Sequence, residues 1–148
     1  IGKGRIIKEG KKLAIINFGA RLNECLKAAE NLKKKGINIS IVDARFAKPL
    51  DEKLIMEVAT NHEVLITLEE GSVGGFGSHV MQLLSERGVF DTGLKFRSMI
   101  LPDIFIDQDI PDKMYEAAGL DNLSIIKKVE ETLNSNVILA KNKNKIPS

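Results

Sequence analysis

The sequence has little cysteine, no long apolar run and almost no excess of charge, and each shortage excludes a class of protein. Its single cysteine, Cys25, cannot form a disulfide within the chain, which indicates a reducing compartment. No apolar run approaches the roughly 20 residues that cross a bilayer, and no basic segment followed by an apolar stretch opens the chain. Lysine and arginine total 22 against 20 acidic residues, so the net charge of +2 argues against nucleic acid as a partner. We therefore expect a cytoplasmic protein that binds neither a membrane nor nucleic acid.

What is present is an ordinary globular composition over 148 residues, 43% of them hydrophobic and 28% charged. That length suits a single domain. We expect this domain to cover residues 1–135 and a basic, frayed tail to cover residues 136–148. Because the first residue is Ile1 and not methionine, we also expect the chain to be cut from a longer one.

Strand and helix patterns alternate along the chain. The apolar run at residues 13–16 is typical of a strand buried on both faces, and Cys25 and Ala29 belong to a helical repeat after it. Asp51 is well placed to cap the helix that follows Pro49. We predict an α/β fold, a three-layer, mostly parallel five-stranded sheet with helices on both faces. Its strands are expected near residues 13–18, 37–42, 64–69 and 95–101, with an edge strand in GRIIKEG.

The stretch LEEGSVGGFGSHV, residues 68–80, resembles an active site because two glutamates and a glycine-rich turn follow a predicted strand. Open α/β sheets bind ligands at the carboxyl ends of their strands, and a glycine turn before a helix can bind phosphate. However, the sequence lacks the third glycine of the dinucleotide motif, the Lys and Ser/Thr pair of a P-loop and the serine elbow of hydrolases. The glycines are therefore predicted to allow close backbone packing.

Glu69 and Glu70 suggest a general acid and base, but neighbouring residues of a strand point to opposite faces. We expect at least one of them to meet a basic group or a helix N-terminus. His62 and His79 do not stand at a metal-ligand spacing with Cys25, so each is predicted to lie at the surface or at a helix end.

Two further polar clusters follow predicted strands. Asp43 and Arg45 could bind an anion, although a local ion pair that fixes the loop is the simpler interpretation. The loop LPDIFIDQDIP has three aspartates but lacks the glycine and the closing glutamate of a calcium-binding EF-hand. Its apolar residues Ile104, Phe105 and Ile106 are expected to pack against the domain or against a partner.

Four motifs in this order, DARFAKPLD, TLEEGSVGGFGSHV, LPDIFIDQD and MYEAAGLD, resemble the C-terminal domain of 1-deoxy-D-xylulose-5-phosphate synthases. These are thiamine-diphosphate enzymes of the transketolase family, and the resemblance extends from GKGRIIKEG to about Leu133. It implies a dimeric parent transferase that condenses pyruvate with glyceraldehyde 3-phosphate and releases carbon dioxide. The product would supply isoprenoid, thiamine and pyridoxal biosynthesis.

The resemblance also implies that preceding domains hold thiamine diphosphate and Mg²⁺, and no Gly-Asp-Gly motif occurs in this chain. No catalytic, cofactor-binding or metal-binding residue is expected here, and the chain alone should be inactive. Its implied role is to dock on preceding domains and to assemble a homodimer, with Phe76 and residues 104–106 exposing an apolar patch. The candidate interface residues are Asp43, Arg45, Glu69, Glu70, Gly75, Phe76, Gly77, Ile104, Phe105 and Ile106.

Two alternatives stay open. One is the corresponding domain of a 2-oxoacid dehydrogenase beta subunit. The other is a small stand-alone nucleotide-binding α/β enzyme that uses the turn between Gly71 and Gly77. The sequence upstream of Ile1 would separate these alternatives from the synthase.

Overall fold

A computed structural model describes residues 2–70, 75–100 and 121–135. Within these ranges five strands form one sheet in the order β1-β3-β2-β4-β5, with β1 antiparallel to β3 and the other neighbours parallel. The predicted fold class is confirmed. The strands are β1 (Arg5–Lys8), β2 (Leu13–Phe18), β3 (Ser40–Asp43), β4 (Val64–Glu69) and β5 (Lys95–Ile100).

Four α-helices are described: α1 (Leu22–Lys34), α2 (Glu52–Thr60), α3 (Phe76–Glu86) and α4 (Asn122–Leu133). A short 3₁₀ helix, Val89–Thr92, connects α3 to β5. Asp51 caps α2 as predicted, because its carboxylate accepts a hydrogen bond of 3.1 Å from the Leu54 N–H. The helix expected in PDKMYEAAGL lies outside the described residues.

The sheet separates two hydrophobic cores, one on each face. Successive strand residues alternate between them: Ile15 and Ile66 pack with α1 and α4, whereas Ile16 and Leu65 pack with α2 and α3. These strand residues are fully buried, as expected for a parallel sheet covered on both sides. Helices on both faces therefore complete the three layers.

One strand is shorter than predicted, and the end of α1 explains why. Gly36 has a φ of +81° and donates to the Lys33 carbonyl, while the Ile37 N–H donates to the Leu32 carbonyl. This pair of bonds is a Schellman motif, which uses backbone groups that a strand would need. As a result β3 begins at Ser40 instead of residue 37.

The strand order reverses around β2. From β2 the chain passes through α1 to β3 on one side, and from β3 it passes through α2 to β4 on the other side. The carboxyl ends of β2 and β4 thus flank the position where doubly wound sheets bind ligands.

Candidate functional site

The candidate site lies at the carboxyl ends of β2 and β4, where Phe18 and Glu69 are register partners. Residues 19–21 lead from β2 into α1, and α3 begins at Phe76 after β4. Residues 71–74 of the glycine-rich turn lie outside the described ranges. Gly75, Phe76 and Gly77 are described and form the start of α3.

Glu69 binds the N-terminus of α3. Its side chain is buried, with an exposure of 2%, and its carboxylate accepts hydrogen bonds from the N–H groups of Phe76, at 2.8 Å, and Gly77. The first N–H groups of a helix have no partner within the helix, and the helix dipole favours a negative charge there. Glu69 therefore occupies the position that a bound anion would take.

Gly77 allows this contact because it has no side chain. A Cβ at this position would lie 2.8 Å from the Thr67 Oγ1 atom and 3.1 Å from the Glu69 Oε2 atom. The Thr67 hydroxyl is buried and has no hydrogen-bond partner within the described residues. The predicted role of the glycines in close packing is confirmed for Gly77.

Glu70 has a different partner from Glu69 and forms an ion pair with Arg21, with 2.9 Å between Oε1 and Nε. Close by, the rings of Phe18 and Phe76 stack with their centres 5.2 Å apart. Both contacts join the end of β2 and the residues after it to the residues that follow β4. The expectation that one glutamate meets a helix N-terminus or a basic group is confirmed by both glutamates.

Sequence reasoning missed Arg21 and Asn17, which also belong to this edge. Asn17 is fully buried and donates to the Gly19 carbonyl at 3.0 Å, and its Oδ1 lies 3.9 Å from the Cys25 sulfur. Burial raises the pKa of the Cys25 thiol to about 12. The thiol is therefore neutral at physiological pH and cannot act as a nucleophile. The available signal was position, because Asn17 and Arg21 flank the end of β2 as Glu69 and Glu70 flank the end of β4.

Asp43 and Arg45 do not form the expected local pair. Asp43 pairs instead with Arg5 of the antiparallel edge strand, at 3.6 Å, because β1 places Arg5 directly opposite it. Arg45 is exposed, and its guanidinium carbon lies 5.9 Å from the centre of the Phe46 ring. The local ion-pair interpretation is therefore wrong, while Asp43 and Arg45 do lie at the same edge of the sheet.

Phe76 does not contribute to an exposed apolar patch, because only 2% of it is accessible. Its ring packs in the core beneath α2 and α3, so that part of the surface expectation is wrong. Ile104, Phe105 and Ile106 lie outside the described residues. His62 does bind a helix end, with its Nδ1 atom 2.7 Å from the Val58 carbonyl oxygen.

Comparison with known proteins identifies the family. The family model described as "Transketolase, C-terminal domain" matches residues 2–125. The chain belongs to this family. A solved structure described as "Split gene transketolase, inactive beta4 tetramer" is 31% identical with a TM-score of 0.79, over 90% of this chain and 43% of that one. A transketolase from Campylobacter jejuni subsp. jejuni NCTC 11168 has the same fold, with 16% identity and a TM-score of 0.61 over 88% of this chain and 18% of that one.

This transketolase C-terminal domain spans less than half the length of either relative. The described start of α3 does not fit a diphosphate, because the Glu69 carboxylate already takes the N–H groups of Phe76 and Gly77 and would repel a second anion. Within the described ranges no cluster of three or more His, Cys, Asp or Glu side chains could hold a metal ion. None of the described helices is both long and apolar enough to span a bilayer.

Proposed function

We propose that the chain is the C-terminal domain of a thiamine-diphosphate-dependent 1-deoxy-D-xylulose-5-phosphate synthase. The parent would join two carbons of pyruvate to glyceraldehyde 3-phosphate and release the third as carbon dioxide. The family match over residues 2–125 supports the general class, a transketolase-type parent enzyme. The motifs LPDIFIDQD and MYEAAGLD favour the synthase over a transketolase that exchanges sugar units or a 2-oxoacid dehydrogenase beta subunit.

Within that parent we propose an architectural role for this domain, namely docking on the preceding domains and assembly of a homodimer. This role is supported by three side chains near the carboxyl edge of the sheet, which are bound within the fold or buried. The Glu69 carboxylate serves α3, Glu70 is paired with Arg21, and the Cys25 thiol is buried. Because these three side chains are engaged in the fold or buried, the described ends of β2 and β4 suit a rigid surface better than catalysis. A relative described as a beta4 tetramer adds a precedent for self-association.

The test is an assay of the protein that the whole gene encodes. With thiamine diphosphate and Mg²⁺, pyruvate and glyceraldehyde 3-phosphate should give carbon dioxide and deoxyxylulose phosphate in equal amounts. The 148-residue chain alone should give neither product and should show no micromolar binding of thiamine diphosphate by calorimetry. Transfer of a two-carbon unit between sugar phosphates, or oxidative acyl transfer from a 2-oxoacid, would replace the synthase assignment by a sister class. Cofactor binding to the isolated chain would contradict the architectural role.

A further inference from the structure

Two three-residue turns of this domain share an uncommon geometry. The Leu13 N–H donates to the Lys11 carbonyl and the Phe46 N–H donates to the Ala44 carbonyl, each at 2.7 Å. The central residues, Lys12 and Arg45, have φ values of 63° and 64° and are the only non-glycine residues with positive φ in the described ranges. A positive φ at the centre marks the classic γ-turn, which is rare and strained. Backbone strain of this kind persists where other contacts in the fold compensate its free-energy cost, or where the strained geometry serves a function.

The strain at Lys12 has a compensation within the fold. Its carbonyl accepts hydrogen bonds from the N–H groups of Glu63, at 2.7 Å, and Val64, at 3.0 Å. These bonds fix the start of β4 beside the start of β2, which sets the central parallel register. The turn at Lys12 therefore serves the sheet itself.

Arg45 has no such compensation. In the part of the chain that the structure describes, it takes part in no hydrogen bond or ion pair, and the Phe46 ring is its one aromatic contact. Its side chain is exposed at the carboxyl edge of the sheet. The turn places the buried Ala44 against β2, where its N–H donates to the Asn17 carbonyl at 2.9 Å, but Arg45 itself makes no such bond to the described core.

The two acidic residues nearest to Arg45 in the sequence, Asp43 and Asp51, already have other partners. Arg5 pairs with Asp43, while the Asp51 carboxylate accepts hydrogen bonds from the N–H groups of Leu54 and Gly4. Neither carboxylate pairs with Arg45, whose positive charge has no acidic partner among the described residues. A planar guanidinium in this position matches a carboxylate, which it can bind through two parallel hydrogen bonds.

The course of the chain places the N-terminal segment beside the same loop. Gly4 packs closely against the carbonyl oxygens of Asp43 and Ala44, and Gly2 packs against Pro49. A polypeptide attached before Gly2 would therefore reach the sheet at the edge that carries Arg45. This chain covers 43% and 18% of the two relatives, so both contain polypeptide beyond the matched domain.

We propose that Arg45 anchors this domain to a carboxylate on the polypeptide segment that precedes it in the parent protein. This inference rests on the proposed function, since it requires a parent. The γ-turn holds the guanidinium at the docking edge. The contact with the carboxylate compensates the backbone strain of this turn, which stays uncompensated in the isolated domain.

The test compares Arg45→Gly with Lys12→Gly, because both changes relieve a positive φ and remove one positive charge. The readout is hydrogen exchange of the β3 amides, which reports opening of this domain both in the isolated chain and in the intact parent. Glycine adopts positive φ without strain, so both variants should slow exchange about two- to fivefold in the isolated chain.

The two variants should separate in the intact parent. There Arg45→Gly should speed exchange about tenfold relative to the parental sequence, because the docking contact is lost, whereas Lys12→Gly should still slow it. Arg45→Lys, which keeps the charge but not the paired geometry, should fall between them. Faster exchange of Arg45→Gly in both contexts would make Arg45 a structural residue and overturn the proposal.

Slower exchange of Arg45→Gly in both contexts would also overturn the docking role, while product formation by the parent would leave the proposed function intact. A gene product with no preceding segment would overturn both. A last measurement repeats the hydrogen exchange of the isolated chain in the presence of inorganic phosphate. Phosphate that slows exchange in the isolated chain, but not in its Arg45→Gly variant, would assign Arg45 to a small anion in place of a neighbouring domain.

Discussion

The two edges of the sheet bind backbone N–H groups with different side chains, a carboxylate at the carboxyl edge and a hydroxyl at the amino edge. At the carboxyl edge the charged Glu69 side chain satisfies two N–H groups at the start of α3. At the amino edge the neutral Ser40 hydroxyl accepts from the Gly10 N–H and lies 2.8 Å from the His62 Nε2 atom. Because the Val58 carbonyl can only accept, the His62 Nδ1 atom donates to it, and in a neutral imidazole Nε2 then accepts from the Ser40 hydroxyl.

The hydrogen bonds at the two edges are expected to contribute different amounts to the free energy of unfolding. A buried carboxylate with two backbone donors forms charge-assisted hydrogen bonds, which are about twice as strong as neutral ones. The Ser40 network joins three loop ends through neutral hydrogen bonds, each contributing about 1 kcal/mol. Loss of the charged anchor at the carboxyl edge should therefore cost more than loss of the neutral one.

The largest effect is expected for Glu69→Ala. It leaves two buried N–H groups of α3 without a partner, and we expect a loss of about 3 kcal/mol in the free energy of unfolding. Urea denaturation followed by circular dichroism measures this. The neighbouring Glu70→Gln is the control, because its amide oxygen can still accept a hydrogen bond from Arg21, and we expect a loss of about 1 kcal/mol. Equal losses for the two variants would remove the distinction between Glu69 and its neighbour.

A smaller loss, about 2 kcal/mol, is expected for Gly77→Ala, since the new methyl group meets Thr67 and Glu69 at less than ordinary contact distance. The same denaturation experiment checks it. Combining Gly77→Ala with Thr67→Ala removes the nearest atom, so the double variant should lose less than the sum of the single losses. Additive losses would show that the methyl group and Thr67 do not clash.

The smallest effect is expected at the amino edge for Ser40→Ala, with a loss of about 1.5 kcal/mol. This change leaves the Gly10 N–H and the His62 Nε2 atom without the bonds they make to the hydroxyl. Ser98→Ala, an exposed serine in β5, is the matched control and should change stability by less than about 0.5 kcal/mol. A Ser40→Ala loss that equals or exceeds the Glu69→Ala loss would reverse the ranking of the two edges.

Much of the architecture could be predicted from local sequence patterns. Strands β2 and β4 were placed at their observed bounds because continuous apolar runs leave no alternative face to bury. The cap at Asp51 was also predicted, since it depends on residues adjacent in the chain. The start of β3 was misplaced because the Schellman motif at Ile37 competes for the same backbone groups.

The partners of the polar side chains were harder to predict. Glu69 and Glu70 were expected to meet a helix N-terminus or a base, but nothing local identifies Arg21 as the base. That pairing follows from strand order, which brings the ends of β2 and β4 together. Asp43 was predicted to pair with Arg45 but pairs with Arg5. The antiparallel β1 places Arg5 opposite Asp43, and no sequence pattern indicates this position of β1.

The sequence by itself determined most of the elements and the two buried faces, because apolar periodicity and adjacent capping residues act over a few positions. The family was indicated by the resemblance of its motifs. Only the tertiary structure decided which charges are paired, which phenylalanine is buried and where the backbone is strained. Lys12 and Arg45 are ordinary residues in the sequence, and no glycine marks their turns. Their conformations depend on how distant strands are joined, and that is a property of the assembled sheet.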